Sequence, residues 1–142
     1  MPLEIKIKKL NPDAVLPSYA HPGDVGLDMK SLEDVVLAPA EKGLFMCGWA
    51  LEFPIGYGAF VMDKGSVGTS GIKTLGGVFD AGYRGEYNVC LINLSKEPFE
   101  IKKGQKIAQL VILPVAIGQI KIVEELSQTS RGEGKFGSTG KY

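Results

Sequence analysis

The sequence predicts an all-β protein: a jelly-roll-like barrel followed by a flexible C-terminal arm. Short segments rich in β-branched and aromatic residues recur along the chain, and each is bounded by Gly, Pro, Asn or Asp. No segment of helical length has a clean 3.6-residue period. The 19 glycines among 142 residues are typical of a chain with many turns. Together these features favour short strands packed as a barrel or sandwich.

The predicted strands follow one another from the N-terminus to about residue 115. Leu3, Ile5 and Ile7 alternate with polar residues, which predicts a first strand with one apolar face. The later strand segments are all short and apolar, and they cover residues 33–39, 42–53, 57–62, 86–95 and 106–115. Prolines stand at the margins of these segments, where a missing N–H group does least harm; they are Pro39, Pro54, Pro98 and Pro114.

Length and composition indicate one globular domain. Apolar residues make up 44% of the chain and charged residues 23%, which is typical of a soluble protein. Sixteen cations balance sixteen anions, so no net positive field favours binding to a nucleic acid or an anionic membrane. The longest apolar run is far shorter than the ~18 residues of a membrane span. The first ten residues alternate in polarity, which is not the pattern of a secretory signal.

The few residues that often carry metal or redox chemistry are interpreted as structural. Cys47 and Cys90 are too few for a disulfide framework, and we expect free thiols in a reducing cytoplasm. His21 is the single histidine, so a zinc site would need an unusual set of ligands. It stands beside a proline, which is typical of a surface turn residue. Trp49 lies in an apolar segment and is expected in the core or at a subunit contact. The expected location is therefore cytoplasmic.

The C-terminal segment differs from the rest of the chain. From about Ser127 the composition changes to Ser, Thr, Gly and charged residues, so we expect the barrel over residues 1–126 and a mobile arm over residues 127–142. Successive backbone N–H groups and cations in this arm suit polyphosphate oxygens, and Phe136 suits stacking on a base. By composition alone, a disordered solubilising tail is an equal alternative.

Residues 76–89, GGVFDAGYRGEYNV, resemble the central motif of the trimeric dUTPase family, the deoxyuridine triphosphate nucleotidohydrolases. Residues 21–31, 63–75, 102–115 and 131–140 are similar to the family's other four motifs, in the same order and spacing. Each motif alone is of low or moderate specificity, whereas the ordered set is highly specific. The resemblance implies hydrolysis of dUTP to dUMP and pyrophosphate, by water attack at the α-phosphate.

The resemblance also implies the catalytic groups. Asp80 would hold the attacking water and take its proton, and Asp28 would be a second carboxylate near the site. The implied cofactor is Mg²⁺, held by substrate phosphates and waters with no direct protein ligand; Asp28 would touch a metal-bound water. By its local sequence alone, Asp80 would more often be an ordinary turn aspartate.

The resemblance also implies how the base and the sugar are selected. In the family, the hairpin from Gly77 through Val78 to Tyr83 grips the edge of uracil through backbone groups, and Tyr83 lies under the deoxyribose and refuses a 2′-hydroxyl. Unpaired backbone groups would reject cytosine. Gln109 is polar on an otherwise apolar strand, so we expect it to face a ligand. Arg84 and Glu86 are interpreted as no more than a surface or interface ion pair.

The second motif departs from the family pattern, which has Arg-Ser followed by Gly or Ser. Here Lys64 replaces the arginine and can neutralise a phosphate only as a point charge. Gly65 has no hydroxyl at the usual position. Three outcomes are open: the Ser66 hydroxyl replaces the missing one, a backbone N–H group replaces it, or turnover is reduced.

The resemblance implies a homotrimer with three shared sites. One chain would provide the first, second and fourth motifs, a second chain the third motif, and the third chain the arm. The arm would close over dUTP, with Phe136 stacked on uracil and Arg131 on the terminal phosphate. Gly137, Ser138 and Thr139 would complete the phosphate contacts.

Three alternatives are open on the sequence. The fold also serves dCTP deaminases, although the short chain and the segment at residues 79–86 argue against this reaction. The Lys64-Gly65 departure gives some weight to a different class, a nucleotide-binding regulator with weakened catalysis. A carbohydrate- or peptide-binding β domain would leave the five ordered motifs unexplained.

Overall fold

The computed structural model describes residues 2–142, and this part of the chain is almost entirely strand and turn. The eleven strands are β1 Lys6–Lys9, β2 Gly26–Lys30, β3 Val35–Leu37, β4 Lys42–Met46, β5 Trp49–Glu52, β6 Tyr57–Asp63, β7 Ile72–Thr74, β8 Val78–Asp80, β9 Asn88–Asn93, β10 Phe99–Ile101 and β11 Lys106–Pro114. The one helix in the described residues, α1 Gly65–Gly68, has four residues. The all-β prediction is confirmed.

The strands form four antiparallel sheets that join distant parts of the chain. The largest has the order β2-β11-β6-β8, and a three-stranded sheet has the order β4-β9-β7. The pairs β1-β5 and β3-β10 complete the body. Early strands therefore pair with late ones, and the register of β2 with β11 places Asp28 opposite Gln109.

The sheets enclose a continuous apolar core. Its largest fully buried side chains include Trp49, Tyr87, Phe45, Met29 and Leu110. β9 alternates between buried and half-buried residues, as expected for a strand with one face on the core. Burial of each large side chain stabilises the fold by about 1.5–3 kcal/mol.

Several strands differ from the sequence prediction. β2, β7, β8 and β10 were not predicted, because they are short or contain glycine and charged residues. The predicted segment 42–53 is divided into β4 and β5 at Gly48, which has φ +77° and so a backbone conformation that favours glycine. The first strand begins at Lys6 instead of Leu3.

The chain leaves the barrel after β11. From residue 116 to residue 142 every residue is exposed and no strand is formed. Four apolar side chains of this segment are 77–95% exposed, namely Ile117, Ile120, Ile122 and Leu126. A boundary after residue 126 stays a prediction. No helix among the described residues is long and apolar enough to cross a membrane.

Candidate active site

Three of the predicted site residues meet in one cleft of about 310 Å³. Asp28 lies on β2, and Gln109 lies opposite it on β11. Lys64 is the residue just before α1. The turn that carries His21 and Asp24 forms the rim. The antiparallel register therefore brings together side chains that are far apart in sequence.

The carboxylate of Asp28 is the electrostatic centre of this cleft. Its side chain is 5% exposed, and it contacts Lys64 Nζ at 2.9 Å through Oδ1 and Lys106 Nζ at 3.0 Å through Oδ2. Burial alone would raise the pKa of Asp28, but hydrogen bonds and charge from the two lysines outweigh it, and the pKa lies below its ordinary value. Asp28 is therefore ionised at neutral pH.

Gln109 is fixed on the floor of the cleft. Its Nε2 donates to the backbone oxygen of Asp63 at 2.9 Å. The Asp63 carboxylate accepts in turn from the amide and hydroxyl of Thr74, both at 2.8 Å, and from Lys73 at 2.7 Å. Gly26 lies against Gln109, where a Cβ atom would meet Gln109 Cδ at 2.8 Å and Cβ at 2.9 Å. Gln109 therefore lines the cleft, and its contact with a ligand stays a prediction.

The departing second motif forms the start of α1. Lys64 has extended backbone angles, φ −82° and ψ 132°, and its carbonyl accepts from the amides of Val67 and Gly68. Gly65 and Ser66 are exposed. Because the first N–H groups of any helix have no partner within it, the amides of these residues are available to an anion. Gly65 has no side-chain hydroxyl, so the hydrogen-bond donor at residue 65 is its backbone N–H group.

Val78 and Asp80 lie on β8, at the open edge of the largest sheet, and Gly77 immediately precedes this strand. Val61 N–H donates to Gly77 O at 2.9 Å, and Phe60 faces Val78 in the register with β6. In an antiparallel pair the residues next to a hydrogen-bonded pair point their backbone groups the other way. The N–H and C=O groups of Val78 and Asp80 therefore point outward, away from β6.

The segment after β8 is a turn, not the second strand of a hairpin. Tyr83 N–H donates to Asp80 O at 3.1 Å, and the Tyr83 hydroxyl donates to Glu86 O at 3.0 Å. Arg84 Nη1 donates to Ala81 O at 2.7 Å, while Glu86 Oε2 accepts from Gly48 N–H at 2.8 Å. Among the described residues, Arg84 and Glu86 form no ion pair with each other; each stabilises the turn separately.

An aromatic stack supports this turn from inside the barrel. Tyr87 packs on Trp49 with ring centroids 5.1 Å apart and on Phe79 at 4.1 Å, and Phe79 contacts Tyr83 at 5.5 Å. Tyr87 is fully buried, and its hydroxyl has no hydrogen-bond partner among the described residues. Burial, with the charge of Asp80 among the smaller causes, raises the pKa of Tyr87 to about 12.

The hydrogen bonds of the arm residues are made within the arm. Arg131 Nε donates to Gly134 O at 2.9 Å, and Ser138 N–H donates to Lys135 O at 3.0 Å. The Phe136 ring is 94% exposed, with Lys135 Nζ 5.0 Å from its centroid. Gly132, Gly137 and Gly140 have positive φ angles, which glycine adopts readily in tight turns.

One chain thus holds three separated sets of predicted site residues. β11 and β6 lie between β2 and β8, so three strand spacings of about 4.8 Å put Asp80 roughly 14 Å from the strand of Asp28. Gly77, Val78, Asp80 and Tyr83 do not line the cleft, and the arm residues do not either.

The donor set of the cleft suits a metal ion that arrives with phosphates. Among residues 2–142 no group of three or more His, Cys, Asp or Glu side chains is placed to hold a metal ion. Asp28 is one carboxylate, and both its oxygens contact lysines. With one carboxylate, the cleft could contact Mg²⁺ only through the ion's waters, because Mg²⁺ usually keeps several waters and takes few protein ligands.

The residues interpreted as structural are divided between the core and the surface. Trp49 is 1% exposed and Cys47 is 2% exposed, and burial raises the pKa of the Cys47 thiol to about 12. Cys90 is half-buried, and both thiols are free. His21 is exposed and its N–H donates to Asp24 Oδ2 at 2.9 Å within a turn.

Sequence reasoning missed Gly26, which lines the cleft, and Lys106, which contacts Asp28 from outside the lining. Lys106 contacts Asp28, but a lysine at the start of a strand resembles any surface cation. Gly26 precedes Asp28 by two residues on β2, and its close approach to Gln109 depends on the pairing of β2 with β11. Only a prediction of that register could have identified either.

Known proteins are similar to this chain in sequence and fold. A family model described as dUTPase matches residues 13–140. The deoxyuridine 5'-triphosphate nucleotidohydrolase of Clostridium kluyveri is 46% identical over 141 residues, 97% of this chain and 99% of that protein. A mutant dUTPase of Staphylococcus bacteriophage 80alpha with dUpNHpp has a TM-score of 0.86 at 31% identity, covering 96% of this chain and 98% of that chain. A mutant dUTPase from phage phi11 of S. aureus, with a structural Mg(II) ion, has a TM-score of 0.81 at 27% identity, covering 88% and 99%.

These similarities extend over almost the whole chain and include the cleft, β8 and the arm. They confirm the prediction of a jelly-roll-like barrel, the fold of these structural relatives. A carbohydrate- or peptide-binding domain is not supported by any of them. The protein belongs to the dUTPase family.

Proposed function

We propose that this protein hydrolyses dUTP to dUMP and pyrophosphate, with Asp80 as the base that activates the attacking water. The observation that carries the proposal is the cleft in which Asp28, Lys64 and Gln109 converge, beside the amides that begin α1. These groups offer positive charge and N–H donors to a triphosphate. Phosphoryl transfer depends mainly on such positioning and charge stabilisation.

In the proposed reaction, water attacks the α-phosphorus, the bond to the bridging oxygen breaks, and pyrophosphate leaves. Asp80 takes the proton of the water as the new P–O bond forms. Its exposed position at the end of β8 allows an approach to substrate from outside its own chain. Lys64 and the amides of Gly65 and Ser66 stabilise the phosphate charge.

Selectivity for uracil is proposed to come from the free edge of β8. The outward N–H and C=O groups of Val78 form a donor and acceptor set that a pyrimidine edge can match. A base with the opposite pattern would leave these groups unpaired, at a cost of about 1–3 kcal/mol each. Tyr83, held by Glu86 O, would pack under the deoxyribose and exclude a 2′-hydroxyl.

Mg²⁺ is the proposed cofactor. The ion would supply charge neutralisation across the phosphates when it is bound. Asp28 would accept hydrogen bonds from its waters, and Lys64 would hold the phosphate oxygens.

The proposed active assembly is a homotrimer whose sites lie between subunits. The separation of the cleft, β8 and the arm within one chain supports this arrangement, because no single chain collects all three sets. The exposed Ile120 and Ile122 also support contact with another copy, since apolar side chains that are more than 90% exposed gain stability from burial.

Subunit mixing tests the shared site directly. Lys64→Met and Asp80→Asn each alter a different residue set and are expected to be inactive alone. Trimers assembled from both variants would contain some sites with wild-type residues in every position, so activity is expected to return in part. No recovery in confirmed mixed trimers, or an active monomer by light scattering, would contradict shared sites.

The activity itself is tested by pyrophosphate release. We expect turnover of dUTP with Mg²⁺, loss of turnover in EDTA, and little turnover of dCTP, dTTP or UTP. Ammonia release from dCTP would instead favour the deaminase reaction. Nucleotide binding without turnover in the wild-type protein would favour a regulator. A cytoplasmic location also stays a prediction, supported by the free thiols of Cys47 and Cys90.

A further inference from the structure

We propose that Lys106 is a positioning residue that retains the charge of Asp28 when Lys64 turns from Asp28 to the substrate phosphates. The proposal rests on the proposed function, in which Lys64 binds phosphate. It assigns a role to a side chain outside the cleft lining.

The geometry is that of one carboxylate between two ammonium groups. Lys64 Nζ contacts Oδ1 of Asp28 at 2.9 Å and Lys106 Nζ contacts Oδ2 at 3.0 Å. The Asp28 side chain is 5% exposed, whereas the lysines are 30% and 42% exposed. The buried member of the cluster is therefore the anion, and the two cations lie nearer to solvent.

The two lysines differ in their access to a ligand. Lys64 lines the cleft and immediately precedes α1, so its ammonium group can move from Asp28 to a bound phosphate. Lys106 begins β11, where it faces Lys30 in the register with β2, and it does not line the cleft. A triphosphate in the cleft would therefore compete with Asp28 for Lys64, not for Lys106.

This competition would be costly if Lys64 were the only partner of Asp28. Removing one partner from a buried ion pair leaves an uncompensated charge, which is strongly destabilising. With Lys106 in place, the departure of Lys64 changes the cluster from two cations on one anion to one cation on one anion. Lys106 thus lowers the free energy that substrate must supply to recruit Lys64.

The arrangement also bears on the replacement of the family's usual arginine by lysine. A guanidinium can contact a carboxylate and a phosphate at the same time through its several N–H donors. A single ammonium group must divide its three donors between the two, or leave one of them. A second cation on Asp28 therefore matters most in a chain that has lysine at position 64.

The test is a thermodynamic cycle measured with the full-length protein and the non-hydrolysable analogue α,β-imido-dUTP with Mg²⁺, by calorimetry. Lys106→Met is expected to weaken binding about tenfold, a change within the range of coupling between contacting residues. Lys106→Arg should restore most of the affinity. Lys102→Met is the matched control, because Lys102 pairs with Glu100 on the surface.

The decisive arm uses an Asp28→Asn background. Without the carboxylate, Lys64 has nothing to leave, so Lys106→Met should then change the Kd by less than about twofold. An equal loss in both backgrounds would mean that Lys106 contacts the nucleotide itself, and would overturn the proposal. So would unchanged affinity in the single variant.

Two measurements separate this result from other failures. Thermal melting of each variant shows whether a loss of binding comes from a loss of fold. Lys64→Met tests the underlying function: normal nucleotide binding by that variant would refute phosphate binding by Lys64, whatever the cycle gives.

Discussion

Gly26 is the position at which the cleft leaves no room for a side chain, and Gly26→Ala is the most direct test of its geometry. A Cβ atom there would lie 2.8 Å from Gln109 Cδ and 2.9 Å from Gln109 Cβ. Both distances are well inside van der Waals contact. Gln109 would have to turn away and release the backbone oxygen of Asp63, which it now binds at 2.9 Å.

The expected magnitude follows from these contacts. Overpacking of one methyl group in a well-packed region costs about 1–3 kcal/mol. Loss of the amide hydrogen bond adds about 0.5–1.5 kcal/mol. We therefore expect Gly26→Ala to lower the free energy of unfolding by about 2–4 kcal/mol. The KM for dUTP should rise as well, because Gln109 no longer holds its place on the cleft floor.

Thermal melting and steady-state kinetics measure these two effects. Gly118→Ala is the control, since a Cβ atom at Gly118 would meet nothing within 4 Å. Adding Gln109→Ala to Gly26→Ala removes the contact with Cδ and should recover part of the stability, but not the KM. A Gly26→Ala protein with the Tm and the KM of the wild type would refute the geometry of the cleft floor.

Four further predictions test the remaining parts of the site. Asp80→Asn should keep the fold and nucleotide binding but lose about 10²–10⁴-fold in kcat, measured by pyrophosphate release; wild-type rates would remove Asp80 from the mechanism. Tyr83→Ala should admit UTP while dUTP hydrolysis partly persists, and continued exclusion of UTP would place the sugar selectivity elsewhere. Tyr87→Phe should melt no lower than the wild type, because it removes a buried hydroxyl that has no partner in the described residues; a clear fall in Tm would reveal one. Deletion from Ser130 onward should leave a stable barrel with a severely reduced kcat/KM, Phe136→Ala should lose less, and full activity after deletion would make the arm a mere tail.

The long apolar strands could be predicted from sequence, and the short ones could not. β6 and β11 contain runs of β-branched and aromatic residues, which is the pattern that predicts a strand. β2 is Gly-Leu-Asp-Met-Lys, and its first four residues are buried. Its aspartate is buried because two lysines pair with it, and no pattern of apolar residues can show such pairing. The strand that carries Asp28 could therefore not be predicted from the spacing of apolar residues.

Site residues were predicted through the motifs, but their grouping depends on strand register. Asp28 and Gln109 are 81 positions apart in the sequence (109 − 28). They lie opposite each other because β2 pairs with β11. Lys106 joins them only because the register shifts between Lys106 and Ala108. A one-residue slip would turn these side chains to the other face of the sheet. Pairing between distant strands is a property of the whole barrel and is not encoded in any one segment.

The arm could be predicted from its composition, but it contributes no strand and no buried residue to the barrel. Phe136, at 94% exposure, gives no stability to the free chain. If residues 131–139 become ordered over a nucleotide, fixing their backbone costs about 1–2 kcal/mol for each residue. Stacking of one ring on a base returns only about 1–3 kcal/mol. Most of the compensating free energy must then come from charged contacts between Arg131, the arm amides and the phosphates, so closure should depend on the triphosphate more than on the base.

For this reason dUMP, which retains uracil but lacks two phosphates, is expected to leave the arm open. A Phe136→Trp variant should show a fluorescence change with α,β-imido-dUTP and little change with dUMP. An equal change with both nucleotides would show that stacking alone closes the arm.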